Sequence, residues 1–369
     1  MWHLNSTARS WTTTPATGVT QFHESLPGYA PTRLVEVPGL AAELGVGRLF
    51  VKEESSRLGL PAFKVLGAAY AVSRALSTRF GETDRALPLP SLRLLADEYG
   101  PVTLIAATDG NHGRAVAHLA RLIGLPAQIF VPDSLTGAAK AGIASEGAQT
   151  TELALDYDDV VMAARQAASV AGPDALLIQD TAWPGYTEIP QWIVDGYSTL
   201  FTEADIQLAA IGAASPALVV VPIGVGSLAQ ASVRHYRSTT RVRHLALLGV
   251  EPENAPAIVT SLNAGKLLTV PTRQTIMAGL NCGTPSHGAW PDLRSGLDAA
   301  VTVTDSQTAT AVHDLEAAGI DSGPCGAATL AAGRVVLDRY RDDFAVPPDA
   351  TVLLLSTEGR AANPLPEDV

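Results

Sequence analysis

Residues 62–67 read AFKVLG, and the rest of the chain can be interpreted around this stretch. It places Lys64 inside an apolar run, just after Pro61 and at the start of a predicted helix. The helix dipole opposes a cation there and apolar neighbours make its charge costly, so both effects favour the neutral amine. Because a neutral amine can attack a carbonyl carbon, Lys64 is a candidate reactive centre. The structural alternative is a lysine that extends from a buried helix into water.

Composition narrows the class of protein. A length of 369 residues predicts two domains or lobes. Hydrophobic residues make up 47% and charged residues 17%, and no apolar run reaches the roughly 18 residues of a membrane helix. The net charge of −12 and the absence of a Lys/Arg block argue against nucleic acid and other polyanionic partners. We therefore expect a soluble enzyme with a small-molecule substrate, which holds any phosphate mainly through backbone amides.

The two cysteines, Cys282 and Cys325, form no CxxC pair. This pattern argues against a disulfide framework and against a zinc cluster, so we expect no metal. The first residues show neither a basic stretch nor an apolar stretch of the kind found in signal peptides. A cytoplasmic location is the resulting expectation.

Two series of alternating strands and helices follow one another along the chain. The first occupies residues 102–179 and the second residues 217–355, where a strand is predicted at 244–250. Such alternation is typical of parallel sheets layered with helices. Residues 1–20, rich in Ser and Thr, are predicted to be loosely ordered, and residues 81–100, interrupted by prolines, to be irregular.

A glycine-bearing turn joins strand to helix in residues 219–229, which read VVVPIGVGSLA. Glycines let backbone N–H groups converge on an anion, and the helix N-terminus adds partial positive charge. The turn is thus a candidate phosphate site without basic side chains. An ordinary connecting turn is one alternative. Another is a dinucleotide fingerprint formed by Gly224, Gly226 and Ala229, with Glu251 binding a ribose.

Residues 108–113, TDGNHG, follow a predicted strand at its carboxyl end, where open α/β sheets bind ligands. Asn111 can hydrogen-bond an oxygen of a planar cofactor. Asp109 is a candidate base, more effective if burial raises its pKa toward neutrality. The alternative for both residues is capping of the following helix.

These three segments, in this order, resemble the pyridoxal-phosphate enzymes of the tryptophan-synthase-β fold type. More narrowly, several segments resemble diaminopropionate ammonia-lyases, and the match extends from Phe22 to Gly359. They include AGLNCG at 278–283 and STEG at 356–359, and the most subgroup-specific is DTAWPGYTEIPQW at 180–192. The resemblance implies pyridoxal-phosphate fold type II, an α/β architecture of two open parallel-sheet lobes with the cofactor in the cleft between them. The small lobe would comprise residues 66–202, and the large lobe residues 1–65 plus 203–369.

The resemblance also implies roles for individual residues. Lys64 would hold pyridoxal 5'-phosphate and then take the α-proton, and Asn111 would bind the phenolic oxygen of the ring. Asp109 would be the base for the D-enantiomer, and Asp180 would recognise the β-amino group of the substrate. The phosphate would lie against Gly224, Val225, Gly226 and Ser227, and the pyridine nitrogen would face Ser356 or Thr357.

The implied activity is that of a carbon–nitrogen lyase of amino-acid metabolism. It would eliminate ammonia from 2,3-diaminopropionate through aminoacrylate, which hydrolyses to pyruvate and a second ammonia. Homodimers are common in this family. Two alternatives stay open: a related β-eliminating or β-replacing enzyme, such as a serine or threonine dehydratase, and a nicotinamide-dependent dehydrogenase that uses the glycine turn as its dinucleotide site.

Overall fold

The computed structural model describes residues 1–82, 85–238 and 245–366. Within these ranges the strands form two sheets, and none of the helices is long and apolar enough to cross a membrane. The strands are β1 (Trp2–Leu4), β2 (Leu34–Glu36), β3 (Arg48–Glu53), β4 (Thr103–Ala107), β5 (Ala127–Pro132), β6 (Gln149–Leu153), β7 (Ala175–Leu177), β8 (Leu218–Pro222), β9 (Ala246–Pro252), β10 (Ala299–Val303) and β11 (Thr351–Ser356).

Helices cover and connect the two sheets. The α-helices are α1 (Val19–Glu24), α2 (Pro38–Glu43), α3 (Lys64–Arg79), α4 (Leu89–Tyr99), α5 (Asn111–Ile123), α6 (Gly137–Ala144), α7 (Tyr157–Ala171), α8 (Glu188–Ala210), α9 (Ser227–Tyr236), α10 (Ala257–Ala264), α11 (Trp290–Gly296), α12 (Asp305–Ala317), α13 (Pro324–Arg339) and α14 (Arg341–Phe344). Three short 3₁₀ helices lie at Ala8–Ser10, Gly172–Asp174 and Ala278–Leu280.

The larger sheet has the strand order β1-β10-β9-β8-β11-β3-β2. Its five inner strands run parallel, and the edge strands β1 and β2 are antiparallel to their neighbours. Every residue of β8, β9 and β11 is buried. This is the near-continuous apolar pattern expected of parallel strands that helices cover on both faces.

The smaller sheet has the order β6-β5-β4-β7, and all its strands are parallel. The predicted α/β fold with two open, mainly parallel sheets is therefore confirmed. The predicted lobe boundaries stay a prediction. The strands of the smaller sheet fall between residues 103 and 177, but α8 continues across the predicted boundary at 202/203.

The N-terminal segment is more ordered than predicted. β1 pairs antiparallel with β10, and the Trp2 ring stacks on Tyr340 with 4.1 Å between ring centroids. The expectation of a loosely ordered start was wrong because these pairings add an edge strand to the large sheet. A Ser/Thr-rich composition does not reveal such long-range pairing.

Residues 81–100 also contain more regular structure than predicted. The helix α4 begins at Leu89, and Pro90 lies in its first turn. A proline is tolerated there because the first turn has no earlier carbonyl for its N–H to bond. The prolines therefore start this helix instead of preventing it. The predicted strand 244–250 begins at His244, which lies outside the described residues, and the observed strand covers Ala246–Pro252.

Helices α3 and α8 cross at two glycines. A Cβ atom on Gly67 would lie 2.5 Å from a ring carbon of Tyr197. A Cβ atom on Gly196 would lie 2.7 Å from the carbonyl oxygen of Leu66. The backbones approach closely here because neither glycine carries a side chain. This contact fixes the first turn of α3, which carries Lys64, against the long helix α8.

Candidate active site

A cleft with about 580 Å³ of empty space lies where the chain leaves the carboxyl ends of β4, β8 and β11. Strands from both sheets thus converge on it, and we call it the central cleft. Its lining consists of Phe63, Lys64, Asp109, Asn111, Tyr157, Asp180, Pro222, Gly224, Val225, Gly226, Ser227, Leu228, Gly279, Leu280, Cys282, Cys325, Thr357 and Glu358. The structure therefore brings together all the predicted site residues except Ser356.

Lys64 is the first residue of α3, and its ammonium is paired. Its Nζ donates a 2.6 Å hydrogen bond to Oδ2 of Asp180. Burial acts to lower the pKa of Lys64, but the negative charges of Asp180 and Asp109 outweigh burial and raise this pKa well above its ordinary value. The expectation that the environment favours the neutral amine was therefore wrong for this arrangement of the chain. The helix dipole and the apolar neighbours are local features, whereas Asp180 follows β7 and lies 116 positions beyond Lys64 in the sequence.

Asp180 is the partner that determines the charge of Lys64. It is 2% exposed and follows β7. Burial favours the protonated form, but the nearby charge of Lys64 prevails and lowers the pKa of Asp180 to about 2. The neighbouring imidazole of His112 has its Nδ1 3.9 Å from Oδ2 of Asp180. Asp180 is thus a permanent carboxylate that faces the cleft and binds an ammonium group.

Asp109 has the opposite shift. Burial is the main cause that raises its pKa, the charge of Lys64 opposes it, and the carboxylates of Asp180 and Glu358 add to the rise. The result is a pKa of about 6. Asp180 and Asp109 therefore differ, because Asp180 stays ionised while Asp109 can gain and lose a proton near neutral pH. Such a divergence is typical of acid–base sites.

The glycine turn offers free backbone donors to the cleft. Within the described part of the chain, the N–H groups of Gly224, Val225 and Gly226 donate to no other residue. Gly226 has φ +105°, a conformation that favours glycine, and a Cβ atom on Gly224 would lie 2.8 Å from the carbonyl oxygen of Gly279. Because α9 begins at Ser227, the positive, N-terminal end of its helix dipole also faces the cleft. These residues fit a phosphate group.

Ser227 connects the turn to the lysine's partner. Its hydroxyl donates a 2.7 Å hydrogen bond to the carbonyl oxygen of Asp180. The phosphate-binding candidate and the carboxylate that pairs with Lys64 are therefore neighbours across the cleft. The hydrogen bond connects Asp180, which follows β7, to Ser227, which follows β8, and these two strands belong to different sheets.

The predicted partners of a pyridine nitrogen differ in position. Thr357 lines the cleft. The hydroxyl of Ser356, by contrast, donates to Oγ of Ser322 at 2.8 Å, and both residues are buried. Ser356 ends β11, so successive side chains alternate in direction at this point. A sequence motif does not show which of two adjacent hydroxyls faces a site.

Glu358 is a cleft residue to which sequence reasoning gave no role. Its Oε2 accepts a 2.6 Å hydrogen bond from Nδ2 of Asn111. An acidic residue two positions beyond the end of a buried strand was the available signal. The two residues are 247 positions apart, so nothing local in the sequence indicates that they meet.

Both cysteines line the cleft as neutral thiols. Burial raises the pKa of Cys282 and of Cys325 well above the ordinary value, and nearby carboxylates raise it further. A thiol is a poor nucleophile unless it is ionised. Neither cysteine is therefore suited to act as a nucleophile in the cleft.

Glu251 is not available to bind a ribose. It is 1% exposed, and its two oxygens accept 2.8 Å hydrogen bonds from the N–H groups of Ile258 and Val259 in the first turn of α10. The carboxyl group therefore caps a helix inside the protein. This arrangement contradicts the dinucleotide interpretation of the glycine turn, which needs an exposed acid after the next strand.

The buried Glu251 leads to a stability prediction. Burial raises its pKa from 4.5 to about 8 despite the helix N–H groups, so the folded protein binds the proton more tightly than the unfolded chain. Its contribution is complete below pH 4.5 and is lost as the pH rises through 8. Ionisation of Glu251 should lower the free energy of unfolding of the unmodified chain as the pH rises from 5 to 8.5. Glu251→Gln cannot ionise there, so this fall should be smaller in the variant, by on the order of a few kcal/mol.

Urea unfolding at several pH values measures this effect. The matched control is Glu98→Gln, which changes an exposed glutamate on α4 and should leave the pH dependence as in the unmodified chain. An identical pH dependence for Glu251→Gln and the unmodified chain would contradict the prediction.

Comparison with known proteins gives consistent matches over most of the chain. The family described as "Pyridoxal-phosphate dependent enzyme" matches residues 25–358. Diaminopropionate ammonia-lyase of Escherichia coli (strain K12) is 35% identical over 350 residues, which cover 92% of this chain and 87% of that protein.

Two solved structures are similar over most of their length. The crystal structure of diaminopropionate ammonia lyase from Escherichia coli in complex with an aminoacrylate-PLP azomethine reaction intermediate has a TM-score of 0.88 and 32% identity. It covers 98% of this chain and 94% of that one. The complex of the same enzyme with D-serine has a TM-score of 0.87, 32% identity and the same shares of both chains.

Proposed function

The chain belongs to the pyridoxal-phosphate dependent enzymes and, within them, to the diaminopropionate ammonia-lyases, and from that premise we propose its reaction and the roles of its residues. The protein eliminates ammonia from 2,3-diaminopropionate, and the products after hydrolysis are pyruvate and two molecules of ammonia. The observation that carries the proposal is the central cleft, where Lys64, Asp109 and Asp180 surround free backbone donors fit for a phosphate. When bound, pyridoxal phosphate supplies the electron sink that makes loss of the α-proton possible.

Lys64 holds the cofactor through its amine and, once released by the substrate, takes the α-proton on its side of the cleft. To react, the amine must first lose its own proton, which the 2.6 Å contact with Asp180 now retains. Once Lys64 holds the cofactor, its ammonium no longer occupies Asp180, and an ammonium group of the incoming substrate can take that place. Lys64 then loses its main negative neighbour, and burial lowers its pKa toward the range of a useful base.

Asp109 takes the α-proton from the D-enantiomer on the opposite side of the cleft. Its pKa of about 6 makes it ionised at neutral pH yet a stronger base than an ordinary carboxylate. One base on each side of the α-carbon would let both enantiomers react. The D-serine complex of the Escherichia coli relative supports binding of a D-amino acid in such a cleft.

Asp180 recognises the β-amino group. Its pKa of about 2 keeps it anionic near neutral pH, where it can pair with an ammonium group of the substrate. A buried carboxylate prefers an ammonium to the hydroxyl of serine or threonine because a hydrogen bond between charged partners is the stronger one. This preference favours the diaminopropionate reaction over the serine or threonine dehydratase alternative.

The remaining contacts hold the cofactor in place. The N–H groups of residues 224–227 bind the phosphate, and an N–H of Asn111 faces the phenolic oxygen of the ring. Thr357, which lines the cleft, supplies a hydroxyl to the pyridine nitrogen in preference to Ser356, whose hydroxyl donates to Ser322. The protein acts on a small amino acid in the cytoplasm, as a homodimer.

Replacing Asp180 by asparagine should affect two steps in opposite directions. Loss of the carboxylate lowers the pKa of Lys64, so the cofactor-free variant should combine with pyridoxal phosphate several-fold faster at neutral pH. Turnover of diaminopropionate should show a KM raised at least tenfold because the charged contact to the β-amino group is lost. Stopped-flow absorbance and steady-state assays measure the two effects.

The matched control is Asp195→Asn, which removes a carboxylate on α8 that does not line the cleft. Slower cofactor binding by Asp180→Asn, or an unchanged KM, would contradict the assignment of Asp180.

The direct test of the reaction is release of ammonia and pyruvate by the purified protein. D- and L-2,3-diaminopropionate should both react, at rates at least a hundredfold above those with L-serine and L-threonine. Faster turnover of serine or threonine would favour the dehydratase alternative. A protein that binds NADH and no pyridoxal phosphate would overturn the proposal.

A further inference from the structure

The carboxylate of Glu358 accepts hydrogen bonds from three N–H groups at the edge of the cleft and also contacts the thiol of Cys325. Nδ2 of Asn111 lies 2.6 Å from Oε2, while Nδ2 of Asn363 and the N–H of Cys325 lie 3.2 and 3.3 Å from Oε1. The side chain is 2% exposed, and none of these donors is a cation. Such a buried carboxylate is costly, so its arrangement calls for an explanation beyond stability.

The backbone around Glu358 is hydrogen-bonded to the loop that precedes Lys64. Glu358 pairs with Ala62 in an antiparallel bridge, and the N–H of Phe63 donates to the carbonyl oxygen of Thr357 at 3.1 Å. Its side chain, by contrast, contacts Asn111, the first residue of α5, which follows β4 of the smaller sheet. Glu358 therefore links the segment before Lys64 to the helix that carries Asn111.

This contact determines how the amide of Asn111 is oriented. A side-chain amide has two N–H hydrogens and a carbonyl oxygen, and it can turn over to exchange them. Because Glu358 accepts one hydrogen, the nitrogen stays on that side and its second hydrogen remains available to the cleft. If the amide turned over, its carbonyl oxygen would face the phenolic oxygen of the cofactor, and two acceptors would repel each other.

We propose that Glu358 is a positioning residue that orients the Asn111 amide so that an N–H faces the phenolic oxygen of pyridoxal phosphate. The inference rests on the proposed function of the central cleft. Glu358 does not touch the reacting atoms and acts through Asn111. This role requires a hydrogen-bond acceptor at position 358. Glutamine keeps a side-chain oxygen, so it should replace Glu358 better than alanine does.

Reconstitution of the full-length, cofactor-free variants with pyridoxal phosphate tests the proposal. In a titration with pyridoxal phosphate, Glu358→Ala should bind about tenfold more weakly, and the absorption maximum of the bound cofactor should shift. Asn111→Ala should show the same loss. The double variant should lose no more than either single one, because both substitutions remove the same interaction.

Two further variants separate positioning from a structural role. Asn363→Ala removes another donor to the same carboxylate but leaves Asn111 in contact, so the affinity and the spectrum should stay as in the unmodified protein. Glu358→Gln should retain affinity within about threefold. It also keeps the proposal testable if Glu358→Ala does not fold, because Glu358→Gln combined with Asn111→Ala should then match Asn111→Ala alone.

The proposal is overturned if Glu358→Ala binds the cofactor with unchanged affinity and spectrum, or if the losses in the double variant multiply. A loss in Glu358→Gln as large as that in Glu358→Ala would also overturn it. In each case the unmodified protein still binds pyridoxal phosphate and releases ammonia from diaminopropionate. If the unmodified protein does neither, the proposed function itself fails and the inference fails with it.

Discussion

Lys64→Ala is expected to abolish turnover of diaminopropionate, with kcat reduced about 10³-fold or more. The side chain performs two tasks in the proposed reaction, since it attaches the cofactor and removes the α-proton, and alanine can do neither. Cofactor should still bind through the phosphate contacts but no longer covalently. Borohydride treatment of the unmodified protein, followed by peptide mass spectrometry, should show the cofactor fixed to Lys64.

The control for this experiment is Lys140→Ala. Lys140 lies on α6 outside the cleft, where its Nζ pairs with Glu152 at 2.6 Å. Its loss should change neither turnover nor the labelled peptide. Covalent labelling of another lysine in the unmodified protein, or full activity of Lys64→Ala, would contradict the assignment of Lys64 as the residue that binds the cofactor.

Asp109→Asn is expected to separate the two enantiomers of the substrate. Asparagine keeps the size of the side chain but cannot accept a proton, so kcat/KM for D-2,3-diaminopropionate should fall about 10²- to 10³-fold. The L-enantiomer should react within a few-fold of the original rate because Lys64 remains. The L-enantiomer is thus the internal control, and equal losses for both enantiomers would contradict the assignment of one base to each side.

The pH dependence gives a second measurement on the same residue. Asp109 acts as a base only when it is deprotonated, and its pKa of about 6 lies above the ordinary value of 3.8. The kcat/KM for the D-enantiomer should therefore be constant above about pH 7 and fall tenfold per pH unit below 6. A kcat/KM for the D-enantiomer that stays constant down to pH 5 would show that a different group removes the proton.

The fold could be predicted from the chain because its elements follow strong local patterns. The apolar strand before the glycine turn and the regular alternation of strands and helices predict parallel sheets without any tertiary information. The glycines of the turn likewise indicated backbone donors before their geometry was known. Antiparallel edge strand β1 escaped prediction because only its partner β10, almost 300 residues later, makes it a strand.

The charges of the site could not be predicted in the same way. Lys64 and Asp180 are 116 positions apart, and their contact reverses the pKa shift that the local sequence suggests. For Asp109 the sequence suggested a more effective base if burial raised its pKa, and burial does raise this pKa in the structure. Glu358 and its contact with Asn111 depend on how the two sheets meet, and no spacing in the sequence encodes that.

The crossing of α3 and α8 has a consequence for protein engineering. A library that diversifies residues lining the cleft would leave Gly67 and Gly196 untouched, yet alanine at either position would put a Cβ atom within 2.8 Å of the opposing helix. The lysine-bearing turn would then move relative to the carboxylates around it. In a deep mutational scan, both glycines should therefore be as intolerant as the residues that contact the substrate, although neither borders the cleft.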